Sequence, residues 1–109
     1  MSNLTADEPV RFVVDCLDRG AVLWTYHVNM RLSQRGLTRA ELLGGQTSLR
    51  LLEWYPDDRS LPSGLFAFQA RAGEVHVVLA LDFPNRNIRV VTAYYPSPDK
   101  WTGDGVRRR

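Results

Sequence analysis

His27, Arg31 and Arg35 follow one another at intervals of four residues. If that stretch is helical, residues four apart nearly superpose around the axis, so an imidazole and two guanidiniums share one face. Such a set suits a polyanion. Arginine forks hold phosphate oxygens by paired hydrogen bonds, and a histidine changes charge near neutral pH. RNA cleavage needs both functions: a 2′-hydroxyl loses a proton, the leaving oxygen gains one, and charge on the pentacoordinate phosphorus must be stabilised. The same spacing also describes a solvated helix face whose histidine only caps or packs, and spacing alone does not choose between them.

A second group gathers near the end of the chain. Thr92 and Tyr94 close an alternating apolar segment, and Tyr95-Pro96 and Trp101 follow. Hydroxyls bond phosphate oxygens and aromatic faces stack on unpaired bases, so this group could bind single-stranded RNA. Threonine and tyrosine are also ordinary strand residues, and Trp101 could simply cover a sheet edge. Arg107, Arg108 and Arg109 could neutralise phosphates or form an exposed tail. His76 sits in an apolar stretch and reads as structural. Two histidines with Asp82 or Glu74 make a poor zinc set, because no metal-ligand spacing occurs, and neither metal nor cofactor is expected. No Gly-rich phosphate loop, Gly-x-Ser-x-Gly elbow, catalytic cysteine pattern or calcium loop is present.

The elements that must position these residues are short. A helix is expected over 7–19, with Asp7 to cap it, Pro9 in its first turn, an apolar stripe of Val10, Val13, Val14 and Leu17, and Gly20 to end it. Thr25 can cap a second helix over 26–34 or 26–35, with Trp24, Val28 and Leu32 facing inward and Gly36 as its stop. Thr38 and Glu41 form a capping box for a third helix, which Gly44-Gly45 ends. The period then changes to alternation, and strands are expected over 49–55, 65–71, 75–83 and 88–95. Ala72-Gly73 and Pro84-Asn85-Arg86-Asn87 suit hairpins, so the last three strands form an antiparallel meander. Val75, Val77, Leu79, Leu81 and Phe83 should share one face, as should Ile88, Val90, Thr92 and Tyr94 in the last strand. Val78, Ala80, Val91 and Ala93 on the opposite faces suggest a sheet covered on both sides.

The totals bound these readings. A chain of 109 residues supports one core, and 44% apolar with 24% charged residues is ordinary for a globular domain. A net charge of +2 does not by itself announce nucleic-acid binding. Lys100 is the only lysine, so nearly every fixed cation is an arginine, through phosphate recognition or through coding bias. Cys16 is the only cysteine, which excludes an internal disulfide and reads as core packing. No signal-peptide pattern or membrane-length apolar run is seen, so a cytoplasmic location without membrane contact is expected.

The run Tyr26-His27-Val28-Asn29-Met30-Arg31-Leu32-Ser33-Gln34-Arg35-Gly36-Leu37-Thr38 resembles the opening of a bacterial family labelled domain of unknown function DUF4258. Glu74-Val75-His76-Val77-Val78, then Ile88-Arg89-Val90-Val91-Thr92-Ala93-Tyr94-Tyr95-Pro96 and Trp101, are similar to the family's last strands and its closing Thr-x-Tyr-x-Pro and Trp pattern. The resemblance implies a RelE-like, or barnase-EndoU-colicin-RelE-like, α+β fold: short helices, then a four-stranded, mostly antiparallel sheet. Such folds host metal-independent ribonucleases and toxins of toxin–antitoxin systems. On that analogy His27, Arg31, Arg35 and Thr92 fall on the family's motif positions. Tyr26 departs from it, standing where a small residue is common.

These readings divide the chain into an N-terminal helical extension (1–23), a DUF4258-like domain (24–101) and a basic tail (102–109), all within one domain. They imply a toxin-like, RNA-directed endoribonuclease with catalytic His27, Arg31, Arg35 and Thr92. Tyr94, Trp101, Arg107 and Arg108 would bind substrate, and RNA and a cognate antitoxin would be its partners. The reading from another class is a non-catalytic interaction protein on the same fold, pairing with a second copy or a partner through Val10, Val13, Val14 and Leu17.

Overall fold

A computed structural model describes residues 7–57, 61–70 and 73–96. Helix α1 (Asp7–Arg19) spans the expected residues, and Gly20 leaves it at φ +71°. Val13 and Cys16 are fully buried, and Val10, Phe12 and Leu17 pack against the same core. The stripe proposed as a pairing surface thus lies largely against the chain's own interior. On the outer side Arg19 pairs with Asp15 at 2.8 Å and reaches the Arg86 carbonyl at 3.0 Å, which ties the helix to a distant turn.

The chain next forms a two-residue strand, β1 (Val22–Leu23), which alternation could not reveal because two residues carry no period. It pairs in parallel with the last strand, so the sheet has five strands and mixed direction rather than four. Helix α2 (Tyr26–Gln34) follows, its Thr25 hydroxyl accepting from the Val28 amide at 3.0 Å and Gly36 at φ +73° turning the chain away. Val28 and Leu32 are buried. The Arg39 guanidinium lies 5.0 Å from the centre of the Trp24 ring, so the half-buried indole is covered from outside. Helix α3 (Arg39–Leu43) carries the expected capping box between Thr38 and Glu41. Gly44 and Gly45 do not end helical structure, however; Gly44–Ser48 continues as a 3₁₀ helix. Gly45 is buried so close to Phe68 that a Cβ there would stand 2.5 Å from the ring, which explains why the tighter turn carries a glycine.

Strands β2 (Arg50–Tyr55), β3 (Ser63–Ala70), β4 (Gly73–Asp82) and β5 (Asn87–Tyr94) complete a sheet ordered β1-β5-β4-β3-β2. The β4–β5 turn is held by Asp82, whose carboxylate accepts from the Asn85 amide and side chain, while Arg86 takes φ +58°. Asn85 first, then Arg89 at 3.2 Å, hold the Asp82 carboxyl below its ordinary range. The faces expected from alternation come out differently on the two strands. In β4, Val75, Val77, Leu79 and Leu81 share the helix-facing side as expected.

In β5 the register slips: Val78 stands opposite Thr92, but Leu79 stands opposite Val90, so Val91 is an inserted bulge residue. A one-residue insertion reverses the alternation beyond it. Ile88, Val90 and Ala93 therefore face the core, while Thr92 and Tyr94 turn to the other side, correcting the single face expected for Ile88, Val90, Thr92 and Tyr94 and the placing of Ala93 opposite it. The helices pack on one face of the sheet, where Phe66, Phe68, Val77, Leu79 and Val90 meet Val13, Val28, Leu32 and Leu42. The second face holds Leu65, Ala67 and His76, all buried. Among the described residues no helix is long and apolar enough to cross a membrane.

Candidate functional site

The site forms where α2 meets the open half of β5. Strand β1 pairs with β5 only as far as Arg89, so the edge from Val91 onward is left to side chains. Arg35, in the C-cap position of α2, occupies it: its Nη1 donates to the Ala93 carbonyl at 2.8 Å and to the Thr92 hydroxyl at 3.2 Å. One guanidinium thus satisfies an edge carbonyl and fixes helix to strand. Two residues from the sequence motif, Arg35 and Thr92, are in direct contact across 57 positions of chain.

His27 and Arg31 lie along the same ridge of α2, two turns and one turn before Arg35. With Val28, Val91, Thr92 and Ala93 they line a depression of about 220 Å³. Both side chains are exposed, and among the described residues neither has a side-chain hydrogen bond or ion pair. The acids that could have neutralised the ridge are engaged elsewhere: Asp15 with Arg19 and Arg86, and Glu41 in the capping box. No acidic residue occupies the first turn of α2, so the positive end of its dipole is uncompensated. The result is a shallow, cationic recess with a hydroxyl on its far wall.

Such a recess can do two things. Exposed arginine and imidazole donors, with an apolar floor that limits competing water, favour an anionic oxygen. An imidazole free of a fixed partner can also give or take a proton. Arg35 has less freedom, because its fork is already engaged by protein acceptors. Among the described residues no group of three or more histidine, cysteine, aspartate or glutamate side chains is arranged to hold a metal ion.

The remaining predicted residues fall elsewhere. Tyr94 is half-buried, and its ring meets the His76 ring edge-on at 6.0 Å on the second face of the sheet. His76 is buried there and bonds Glu74 through Nε2 at 2.8 Å, while Glu74 pairs with Arg50 at 2.9 Å. Arg50 first, with His76 adding to it, holds the Glu74 carboxyl below its ordinary range against a desolvation cost. This agrees with a structural His76, its polar edge satisfied by a carboxylate. Cys16 is fully buried and burial pushes its thiol pKa up, as packing rather than nucleophilic chemistry requires. Trp101, Arg107, Arg108 and Arg109 lie outside the described residues.

Sequence reasoning missed Val91, which lines the recess only because the bulge frees it from the strand's alternation. The one trace it left was the apolar doublet Val90-Val91, which equally suits a strand covered on both faces. It marked Tyr26 only as a departure from the family pattern and gave it no role; the residue is 80% exposed.

Residues 24–95 match the model of a family described as a domain of unknown function, DUF4258, and the chain belongs to that family. The match begins at Trp24, yet α1 and β1 before it contribute to the same core and sheet. No curated protein and no solved structure matches the chain.

Proposed function

For this member of the DUF4258 family we propose a metal-independent endoribonuclease of the RelE-like, toxin type, acting at the recess between α2 and β5. The observation that carries the reading is the convergence of His27, Arg31 and Thr92 on one recess in which, among the described residues, no acid pairs with His27 or Arg31. Arg31 holds the scissile phosphate, His27 moves the proton at the 2′-hydroxyl or the leaving oxygen, and the Thr92 hydroxyl bonds a phosphate oxygen. Arg35 acts as a positioning residue, orienting Thr92 and pinning α2, a narrower role than phosphate binding. Charge developing on phosphorus is met by side-chain cations. A cognate antitoxin would be expected to cover this recess, and the cytoplasm is the expected compartment.

One observation favours a second reading, an RNA-binding or interaction protein without catalysis. Among the described residues the recess holds a single histidine and no other acid or base near neutral pH, whereas cleavage needs one proton removed and one delivered. The two readings part on one experiment. A mixed single-stranded RNA is incubated in EDTA with the wild-type chain and with His27→Ala, both verified as folded. Cleavage by the wild type and none by the variant is the outcome the ribonuclease reading requires. Equal cleavage by both removes His27 from the mechanism, and cleavage by neither favours the non-catalytic reading.

A further inference from the structure

Tyr26 is the most exposed of the large apolar side chains among the described residues, at 80%, against 41% for Met30 and 52% for Val91. It opens α2, immediately before His27 and one turn before Met30. Residues four apart share a ridge, so Tyr26 and Met30 form a second ridge about 100° from that of His27 and Arg31. Tyr26 is therefore the side chain next round the helix from His27, on the flank away from Val28, with the exposed Met30 one turn along the same ridge. A ring left so exposed contributes little to the fold, and its surroundings indicate what could cover it.

Those surroundings favour a nucleobase over an apolar protein surface. Among the described residues the exposed large apolar side chains are Leu23, Tyr26, Met30 and Val91, too few for the desolvated core of a standard protein interface. Instead Arg31, without an ion pair among the described residues, and His27 follow Tyr26 along the same helix, and single-stranded nucleic acid is held by phosphates on fixed cations and base faces on aromatic rings. Base faces are hidden in a duplex, so this arrangement selects an unpaired nucleotide. Tyr94, which from sequence alone also suited stacking, is already packed on His76.

We infer that Tyr26, backed by Met30, is a stacking platform for an unpaired base of single-stranded RNA whose adjacent phosphate lies on Arg31 and His27. The inference rests on the phosphate-binding reading of the recess and adds the substrate class. Arg31 supplies affinity common to all sequences, and Tyr26 supplies the preference for unpaired nucleotides.

The test is equilibrium binding, read by fluorescence anisotropy, so that it does not depend on catalysis. The probes are a short 2′-O-methyl oligonucleotide, which has no free 2′-hydroxyl to attack, an abasic strand of the same length, and a duplex. The proteins are the wild type, Tyr26→Ala, Tyr26→Phe and Arg31→Ala, each checked for fold by circular dichroism. Tyr26→Ala should weaken the single strand about fivefold to thirtyfold, the lower part of the stacking range because the ring is exposed, while Tyr26→Phe stays within about twofold. The abasic strand and the duplex should bind wild type and Tyr26→Ala alike. If Arg31→Ala loses binding and Tyr26→Ala does not, the platform is overturned while the phosphate site stands, and the patch belongs to a protein contact. If the wild type does not bind the oligonucleotide, or neither Arg31→Ala nor Tyr26→Ala changes its binding, the platform and the underlying reading both fall.

Discussion

Arg31 and Arg35 are indistinguishable by spacing, yet the structure gives them different work, and replacing each with alanine should separate stability from binding. Arg35 donates 2.8 Å and 3.2 Å hydrogen bonds to the Ala93 carbonyl and the Thr92 hydroxyl, and it is half-buried. A hydrogen bond from a charged donor is worth roughly 1.5–3 kcal/mol. With partial exposure reducing the pair and an edge carbonyl left unsatisfied, Arg35→Ala should cost about 2 kcal/mol. For a domain of this size that lowers Tm by about 10 °C. Thr92→Val removes only one neutral acceptor and should cost about 1 kcal/mol. The double variant should show a coupling of about 0.5–1 kcal/mol, because the two side chains share one hydrogen bond. Arg31, exposed and without a side-chain partner among the described residues, should change stability by no more than about 0.5 kcal/mol. Urea unfolding at equilibrium, with m-values compared, measures all four. Arg35→Ala as stable as the wild type, or Arg31→Ala as damaging as Arg35→Ala, would refute the division of roles.

The acid limb of the stability curve should carry the signature of Glu74. Its folded pKa lies below the ordinary value, chiefly through Arg50, so its contribution is fully present above the ordinary glutamate range and is lost as pH falls through the lowered folded value. Carboxyl titration by NMR should place Glu74 below that range in the wild type and nearer to it in Arg50→Ala; an unchanged titration in the variant would exclude Arg50 as the cause. At Gly45 the obstacle is steric: a Cβ would stand 2.5 Å from Cδ2 and 2.6 Å from Cγ of the buried Phe68 ring. Gly45→Ala should therefore destabilise the fold by about 1–3 kcal/mol through overpacking, and a variant as stable as the wild type in thermal unfolding would contradict that placement.

The local signals in the sequence translated directly into structure because each is satisfied within a few residues. Thr25 caps α2, Thr38 and Glu41 close their box, Gly20 and Gly36 take the left-handed turns, and the alternation of Val75, Val77, Leu79 and Leu81 picks the buried side of β4. The α+β class and the placing of His27 beside Arg31 on one ridge follow from these alone. The third helix was legible at its start and not at its end, because a glycine pair signals a stop only when tertiary packing does not hold the next turn against Phe68.

What the sequence could not determine depended on pairing between distant segments. β1 exists because Val22 and Leu23 find the edge of β5, and two residues have no pattern of their own. The bulge at Val91 depends on the register that β5 adopts against β4; it turned Thr92 and Tyr94 away from Val90, and the Thr92 hydroxyl meets α2 only through Arg35 at the strand edge. The four-residue repeat placed a histidine and two arginines in a row, but only the proximity of the Ala93 carbonyl made Arg35 a clamp, and among the described residues no acid pairs with His27 or Arg31, which face an open recess. Periodicity specifies which side of an element a residue occupies; what stands opposite that side is set by the three-dimensional register of the other elements.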